Sequence, residues 1–397
     1  LGRRRRAAQL ASLLVLVVLS ALVLIGRPLN TQPAAAVATP TWIPATSPEA
    51  TPNPENDLDA DIGAVMVFSW RGALGWSSVQ PYLVQDHVGG ALLFTSNFGG
   101  TPAGMKEWSD RLTTLATSEC LEHPLLVMTD EEGGSLANMK APTVPPWPLQ
   151  MASYGADRVR ALEQLNGAGL RAAGVGLNLA PVADVRTNSL DGIIGARSFG
   201  SSPSVVAPLV AAAVNGLHDG GEGATLKHFP GLGGAAGDPH QAIPTDHTSL
   251  AQWTATQLPS FASGIAAGAD AVMVTAVYEP SLDGGAMPAM FSPSIVGLLR
   301  TQLGFNGVII SDSLSMGGIG ARWSLPEAAV LALAAGNDML LLGNGNPAYE
   351  ASTVAAVRAA VLTGRLDRAR LHESAIRVNA LRDRWGRRPM PCRAPVS

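Results

Sequence analysis

From about residue 57 to residue 385 the chain alternates short apolar runs with longer amphipathic stretches. The apolar runs are Ile62 to Trp70, Val88 to Thr95, Leu125 to Asp130, Val175 to Val185, Ala224 to Phe229, Ala271 to Val277, Val308 to Asp312 and Asp338 to Leu342. Helical patterns such as Pro326 to Ala335 and Ala351 to Leu362 separate most of them. Continuous apolar strands alternating with helices predict a parallel sheet covered on both faces. Eight repeats over roughly 300 residues predict an α/β fold of the (β/α)8 TIM-type barrel kind, as a single catalytic domain. A doubly wound open sheet is the structural alternative. Asp130, Asp184, Lys227, His228 and Asp312 each fall at or just after the C-terminal end of a predicted strand. In a barrel those ends share one face, and active sites are built there.

The first 56 residues have a different pattern. Arg3 to Arg6 form a basic cluster, and Ala7 to Gly26 follow without a charge. An apolar helix of about 20 residues spans about 30 Å, the hydrocarbon core of a bilayer. Residues 1–27 therefore read as a membrane anchor, with the basic flank in the cytoplasm and the bulk of the chain outside. A signal peptide is the alternative, with Ala36-Val37-Ala38 as its cleavage site. Either reading predicts an extracytoplasmic domain, anchored to the cell membrane or secreted. Residues 28–56, rich in Pro, Thr and Ala, read as a tether, and residues 386–397 as a C-terminal tail.

Composition narrows the function. The 397 residues are 47% hydrophobic with a net charge of -4, so no basic field exists to attract nucleic acid. The two cysteines, Cys120 and Cys392, have no metal-ligand spacing. One bridge or two free thiols fit equally well. Only three lysines occur, which sets Lys227 apart from casual surface filler. Oligomeric state cannot be read.

The candidate chemistry is concentrated after the fifth apolar run. Lys227-His228-Phe229-Pro230-Gly231 leads into a loop with Gly233, Gly234 and Gly237, then Asp238-Pro239-His240. An Asp that orients a His makes a general acid/base that works near neutral pH. The glycines predict a mobile loop carrying that dyad. Asp312, at the end of a strand, could be a nucleophile, a metal ligand or a loop cap. Asp130-Glu131-Glu132-Gly133-Gly134 offers three carboxylates before a turn, and Asp130 could bind sugar hydroxyls or simply be a charged turn residue. Arg197, between small residues, could hold a carboxylate, bridge hydroxyls or make a structural ion pair. His218 and His247 read as ordinary surface or packing residues. The methionines (Met66, Met128, Met273, Met316, Met339) read as core fillers.

Together these pieces resemble family 3 glycoside hydrolases, specifically single-domain bacterial β-N-acetylglucosaminidases that act on peptidoglycan fragments. The resemblance covers about residues 57 to 380. It rests on Asp130-x-Glu132-Gly133-Gly134, Asn178-x-Ala180-Pro181-Val182-x-Asp184-Val185, Gly195-x-Arg197-Ser198-Phe199-Gly200, the Lys227 and Asp238 motifs, and Gly304-Phe305-x-Gly307-Val308 followed by Ser311-Asp312. The stretch from Glu327 through Asp338-Met339 resembles the family's last strand and its preceding helix. The resemblance implies a carbohydrate substrate, a retaining mechanism with Asp312 as nucleophile, His240 as acid/base and Asp238 orienting it. It implies that Asp130, Arg197, Lys227 and His228 grip hydroxyls, and that no metal or other cofactor is needed. Four positions depart from the family: Leu232 and Pro239 where His and Ser are usual, Asn138 where Arg is frequent, and Ser313 where Asp is frequent. A β-glucosidase of the same family, or a degenerate barrel that binds glycans without cutting them, are the alternatives.

Overall fold

The computed structural model describes residues 54–70, 74–188, 192–343, 345 and 347–388. The chain divides into two units, Leu1–Thr51 and Pro52–Ser397. The described residues all belong to the second. The predicted anchor and most of the predicted tether lie outside them, as do Cys392 and the tail from residue 389. Among the described residues no helix is long and apolar enough to cross a membrane. Cys120 is disulfide-bonded.

The eight apolar runs each contribute one strand: β1 Met66–Ser69, β2 Gly90–Leu92, β3 Leu126–Thr129, β4 Leu177–Asn178, β5 Gly223–Phe229, β6 Ala271–Val274, β7 Val308–Ser311 and β8 Leu340–Leu341. Every pairing is parallel, in the order β7-β6-β5-β4-β3-β2-β1-β8. The bridge Ile310↔Met339 then joins β7 to the start of β8, so the sheet nearly closes on itself. Buried Asp338 reinforces that seam. Its carboxylate accepts the Ile309 N–H at 2.9 Å and takes the guanidinium groups of Arg300, Arg370 and Arg377. The fold is the (β/α)8 barrel, and the open-sheet alternative is excluded by closure.

All eight strands are buried along their length. This is why they read as continuous apolar runs: helices cover the outside while side chains fill the inside. Three of the helices begin where the sequence offers a cap followed by proline. Thr101, Ser292 and Ser324 each accept a backbone N–H of the first turn, and Pro102, Pro293 and Pro326 occupy early positions where a missing N–H costs nothing. Two boundaries differ from the apolar pattern. Ile62–Ala64 closes the helix Pro54–Ala64 rather than opening β1. The eleven-residue run Val175–Val185 holds only a two-residue strand. Beyond it Pro181 has no N–H for a ladder, and the run stays joined to β5 by the bridge Val182↔Lys227 and by bonds from the Thr225 and Lys227 N–H groups to the Ala180 and Pro181 carbonyls.

Candidate active site

A cavity of about 1090 Å³ opens at the C-terminal ends of the strands. Asp130, Arg197, Lys227, His228, His240 and Asp312 all line it. Asp238 is outside the lining and reaches the site through His240.

The deep part of the site is a knot of charges. Lys227 Nζ lies 2.6 Å from Asp130 Oδ1 and 2.6 Å from Glu132 Oε1. Arg197 donates to both oxygens of Glu132, from Nε at 2.7 Å and Nη2 at 2.9 Å. The side chains of Lys227 and Glu132 are only 3% and 4% exposed. Burial pushes the Glu132 carboxyl up, but Lys227 and Arg197 outweigh it and hold it well below the usual carboxylate range. Burial likewise pulls the Lys227 ammonium down, while Asp130 and Glu132 more than reverse this. Glu132 and Lys227 are therefore both held in their charged forms, and Asp130, Glu132, Arg197 and Lys227 all line the cavity.

His228 extends the knot. Arg197 Nη2 lies 3.0 Å from His228 Nε2. Arginine has no acceptor, so Nε2 must accept and the ring proton sits on Nδ1. Nδ1 meets Asp184 Oδ2 at 2.7 Å. Asp184 is fully buried, and its other oxygen accepts the Leu232 N–H at 2.6 Å. Asp184 thus fixes the ring and the start of the following loop. In a regular strand adjacent side chains point to opposite faces. The register of β5 against β6 shifts between Leu226 and Phe229, and both Lys227 and His228 line the cavity.

Asp312 follows β7 directly. Its Oδ2 accepts the Thr275 hydroxyl at 2.7 Å, and its Oδ1 accepts the Ser313 N–H at 2.7 Å. One bond to each oxygen fixes the carboxylate plane and leaves lone pairs for a reacting carbon.

The dyad has a different character. His240 Nδ1 lies 2.7 Å from Asp238 Oδ1, and the His240 N–H donates to the same oxygen at 3.0 Å. The His240 side chain is 60% exposed, and Nε2 is the ring nitrogen left for substrate. Burial pushes the Asp238 carboxyl up, but the bonds from His240 outweigh it and leave it lowered. Two of the glycines before the dyad, Gly233 and Gly234, are tightly packed, whereas Gly237 has a φ of 133° and a side chain there would meet only Pro244 at 3.4 Å. A side chain at Gly233 would strike the Val185 carbonyl at 2.0 Å, and one at Gly234 would meet Asp246 at 2.6 Å. They serve close backbone approach, not the freedom expected of them.

Sequence gives no signal for Thr275, and it places Asp184 at a strand end and Glu132 in a turn motif without assigning either a role in the site. Asn138, at a position of frequent Arg, has a structural task. It accepts the Thr95 N–H at 2.9 Å and donates to the Asp130 carbonyl at 2.9 Å. Met273 and Met316, read as fillers, are buried but also line the cavity. His218 pairs with Asp270 at 2.8 Å, away from the site.

Residues 74–381 match the family model described as glycosyl hydrolase family 3 N terminal domain. A beta-hexosaminidase of Stenotrophomonas maltophilia (strain K279a) is 36% identical over 270 residues, 66% of this chain and 78% of that protein. A beta-hexosaminidase of Idiomarina loihiensis is 35% identical over 269 residues, with the same coverage of each. Among solved structures, a glycoside hydrolase family 3 beta-N-acetylglucosaminidase from Paenibacillus sp. str. FPU-7 superposes with a TM-score of 0.78 at 33% identity. That match covers 82% of this chain and 62% of the Paenibacillus chain. A beta-N-acetylhexosaminidase from Beutenbergia cavernae DSM 12333 gives a TM-score of 0.74 at 31% identity, covering 82% and 98% of the two chains. With its barrel, its carboxylate at the end of β7 and these relatives, the chain belongs to glycosyl hydrolase family 3, among the beta-hexosaminidases.

Proposed function

We propose that the protein is a retaining β-N-acetylglucosaminidase that removes terminal N-acetylglucosamine from cell-wall glycan fragments. The observation that carries this reading is that a fixed carboxylate, Asp312, shares one cavity with a charged knot and with His240, whose other ring nitrogen is held by Asp238. The knot supplies charge-assisted hydrogen bonds to hydroxyls through Asp130, Lys227 and Arg197, while His228, with both ring nitrogens engaged, holds the Arg197 guanidinium in place. Asp312 attacks the anomeric carbon, and the bond to the leaving oxygen breaks. His240 gives its Nε2 proton to that oxygen. In the second step His240 Nε2 takes a proton from water, the water oxygen attacks the same carbon, and the Asp312 ester bond breaks. A His in this role adds no second anion beside the nucleophile, and imidazole titrates near working pH.

The sugar is tested with aryl N-acetyl-β-glucosaminide and aryl β-glucoside. The account expects turnover of the first and little of the second. The reverse preference would make it a β-glucosidase, and no turnover of either would leave a glycan-binding barrel. The cell-wall source is supported by the sequence resemblance and by the export signal read in residues 1–27, and soluble peptidoglycan fragments test it directly. We place the catalytic domain outside the cytoplasmic membrane on the same signal. Activity confined to the cytoplasmic fraction of intact cells would overturn that placement.

A further inference from the structure

The dyad loop is held in place mainly by backbone, against a second loop that follows the proposed nucleophile. Asp238 O accepts the N–H groups of Gln241 and Ala242 at 2.9 and 3.0 Å, forming a tight turn around His240. Across from it lies the short helix Gly317–Gly320. The Gly318 N–H donates to the Pro239 carbonyl at 3.2 Å. A side chain on Gly317 would place its first carbon 2.4 Å from the His240 carbonyl oxygen. One on Gly318 would meet Ile243 N at 2.7 Å and Pro239 O at 2.8 Å. All of these are backbone atoms, so no side-chain rotation relieves the overlap. Neither glycine has a positive φ, so alanine suits the backbone conformation and only the space forbids it. Gly320, in the same helix, would meet nothing within 4 Å.

We infer that Gly317 and Gly318 are positioning residues for the acid/base: their bare backbone is the seat on which the Asp238–His240 loop docks. This rests on the proposed role of His240. Its exposed ring gains little from packing, so its reach into the cavity is set by where its backbone sits. Pro239 suits such a seat. It fixes its own φ, restricts Asp238 before it, and presents its carbonyl to Gly318. The magnitude follows from the overlap. Ordinary contact begins near 3.4 Å, so the loop must retreat from a Gly317→Ala side chain by about 1 Å (3.4 less 2.4). A misplacement of about 1 Å costs on the order of 10²-fold in rate.

The test uses the full-length protein and the variants Gly317→Ala, Gly318→Ala, Gly320→Ala and His240→Ala. Each is assayed on chitobiose, a poor leaving group, and on 2,4-dinitrophenyl N-acetyl-β-glucosaminide, which needs no proton to depart. The ratio of glycosyl-enzyme formation rates on the two substrates is read within each preparation, so partial misfolding cancels. Gly317→Ala and Gly318→Ala should lose roughly 10²-fold on chitobiose. They should form the glycosyl-enzyme from the dinitrophenyl substrate at close to the wild-type rate, and azide should restore its turnover. Gly320→Ala should match wild type on both. Equal losses on the two substrates, or none, at Gly317 and Gly318 would overturn the seat while leaving His240 in its role. A His240→Ala variant without leaving-group dependence would overturn both.

Discussion

The two halves of this site are built by opposite means. The knot of Asp130, Glu132, Arg197 and Lys227, with His228 behind it, lies among strand ends, and each of its charges is countered by at least one other member. The dyad of Asp238 and His240 sits on a loop with the imidazole largely exposed. The contrast follows from what each half must do. Gripping a sugar calls for charges that do not rearrange, and burial with full pairing supplies them at high folding cost when broken. Passing a proton to a departing aglycone and then taking one from water calls for access. The exposed half should therefore govern rate alone, and the buried half should govern rate, binding and stability together.

The largest expected effect breaks the buried half. Glu132→Ala leaves Lys227 and Arg197 short of their shared counter-charge, and removing one partner of a buried pair costs about 3–5 kcal/mol. Urea unfolding should show that loss, and affinity for N-acetylglucosamine should fall with it. The sign with pH is fixed by the depressed Glu132 carboxyl. Its stabilisation is full above the ordinary carboxylate value and is lost as pH falls through the depressed one. Wild type should therefore lose stability in acid more steeply than the variant. A variant as stable as wild type would show that the knot is not a structural unit.

Next comes the exposed half. His240→Ala should lose about 10²–10⁴-fold on poor leaving groups, as general acid/base groups do. Its urea midpoint should stay close to wild type, because a surface change away from packing shifts stability by less than about 0.5 kcal/mol. Asp238→Asn should give a milder loss of the same kind, since it disturbs the orientation of the ring without removing it. A stability loss comparable to that of Glu132→Ala would erase the contrast.

A smaller effect separates buried charge from buried acid. Glu163 lies in the helix Ala156–Ala172, outside the residues that line the cavity, and burial pushes its carboxyl up to about 7 against a bond from Asn166. A raised carboxyl stabilises the fold below its ordinary value of 4.5, and that contribution is lost as pH rises through about 7. The shift corresponds to about 3 kcal/mol at most, at 1.36 kcal/mol per unit. Glu163→Gln should make stability fall less between pH 5 and pH 8 while activity is retained. An unchanged slope would mean that this carboxyl does not titrate over that range.

The barrel was legible because buried parallel strands leave continuous apolar runs, and the site because its polar residues end those runs. What stayed hidden was direction. Asp130 and Glu132 are two apart, so a strand continued past β3 presents both to one side, while Glu131 turns away to accept the Met139 N–H at 3.0 Å. The same alternation places Thr275 beside Met273, toward Asp312. That parity was available in the sequence, but three adjacent carboxylates and a lone threonine do not announce it. The packing of Gly233 and Gly234 could not be read, because glycine serves freedom and close approach equally. Ile62–Ala64 was assigned to a strand because an apolar run continues unbroken across a helix end.

The central claim, a covalent intermediate on Asp312, is tested most directly by trapping. A 5-fluoro N-acetylglucosaminyl fluoride should inactivate the protein with time, and mass spectrometry should find one sugar on the peptide that contains Asp312. Asp312→Ala should take no label. A sugar attached instead to Glu131 or Glu132, or turnover with inverted anomeric configuration and no label, would contradict the account.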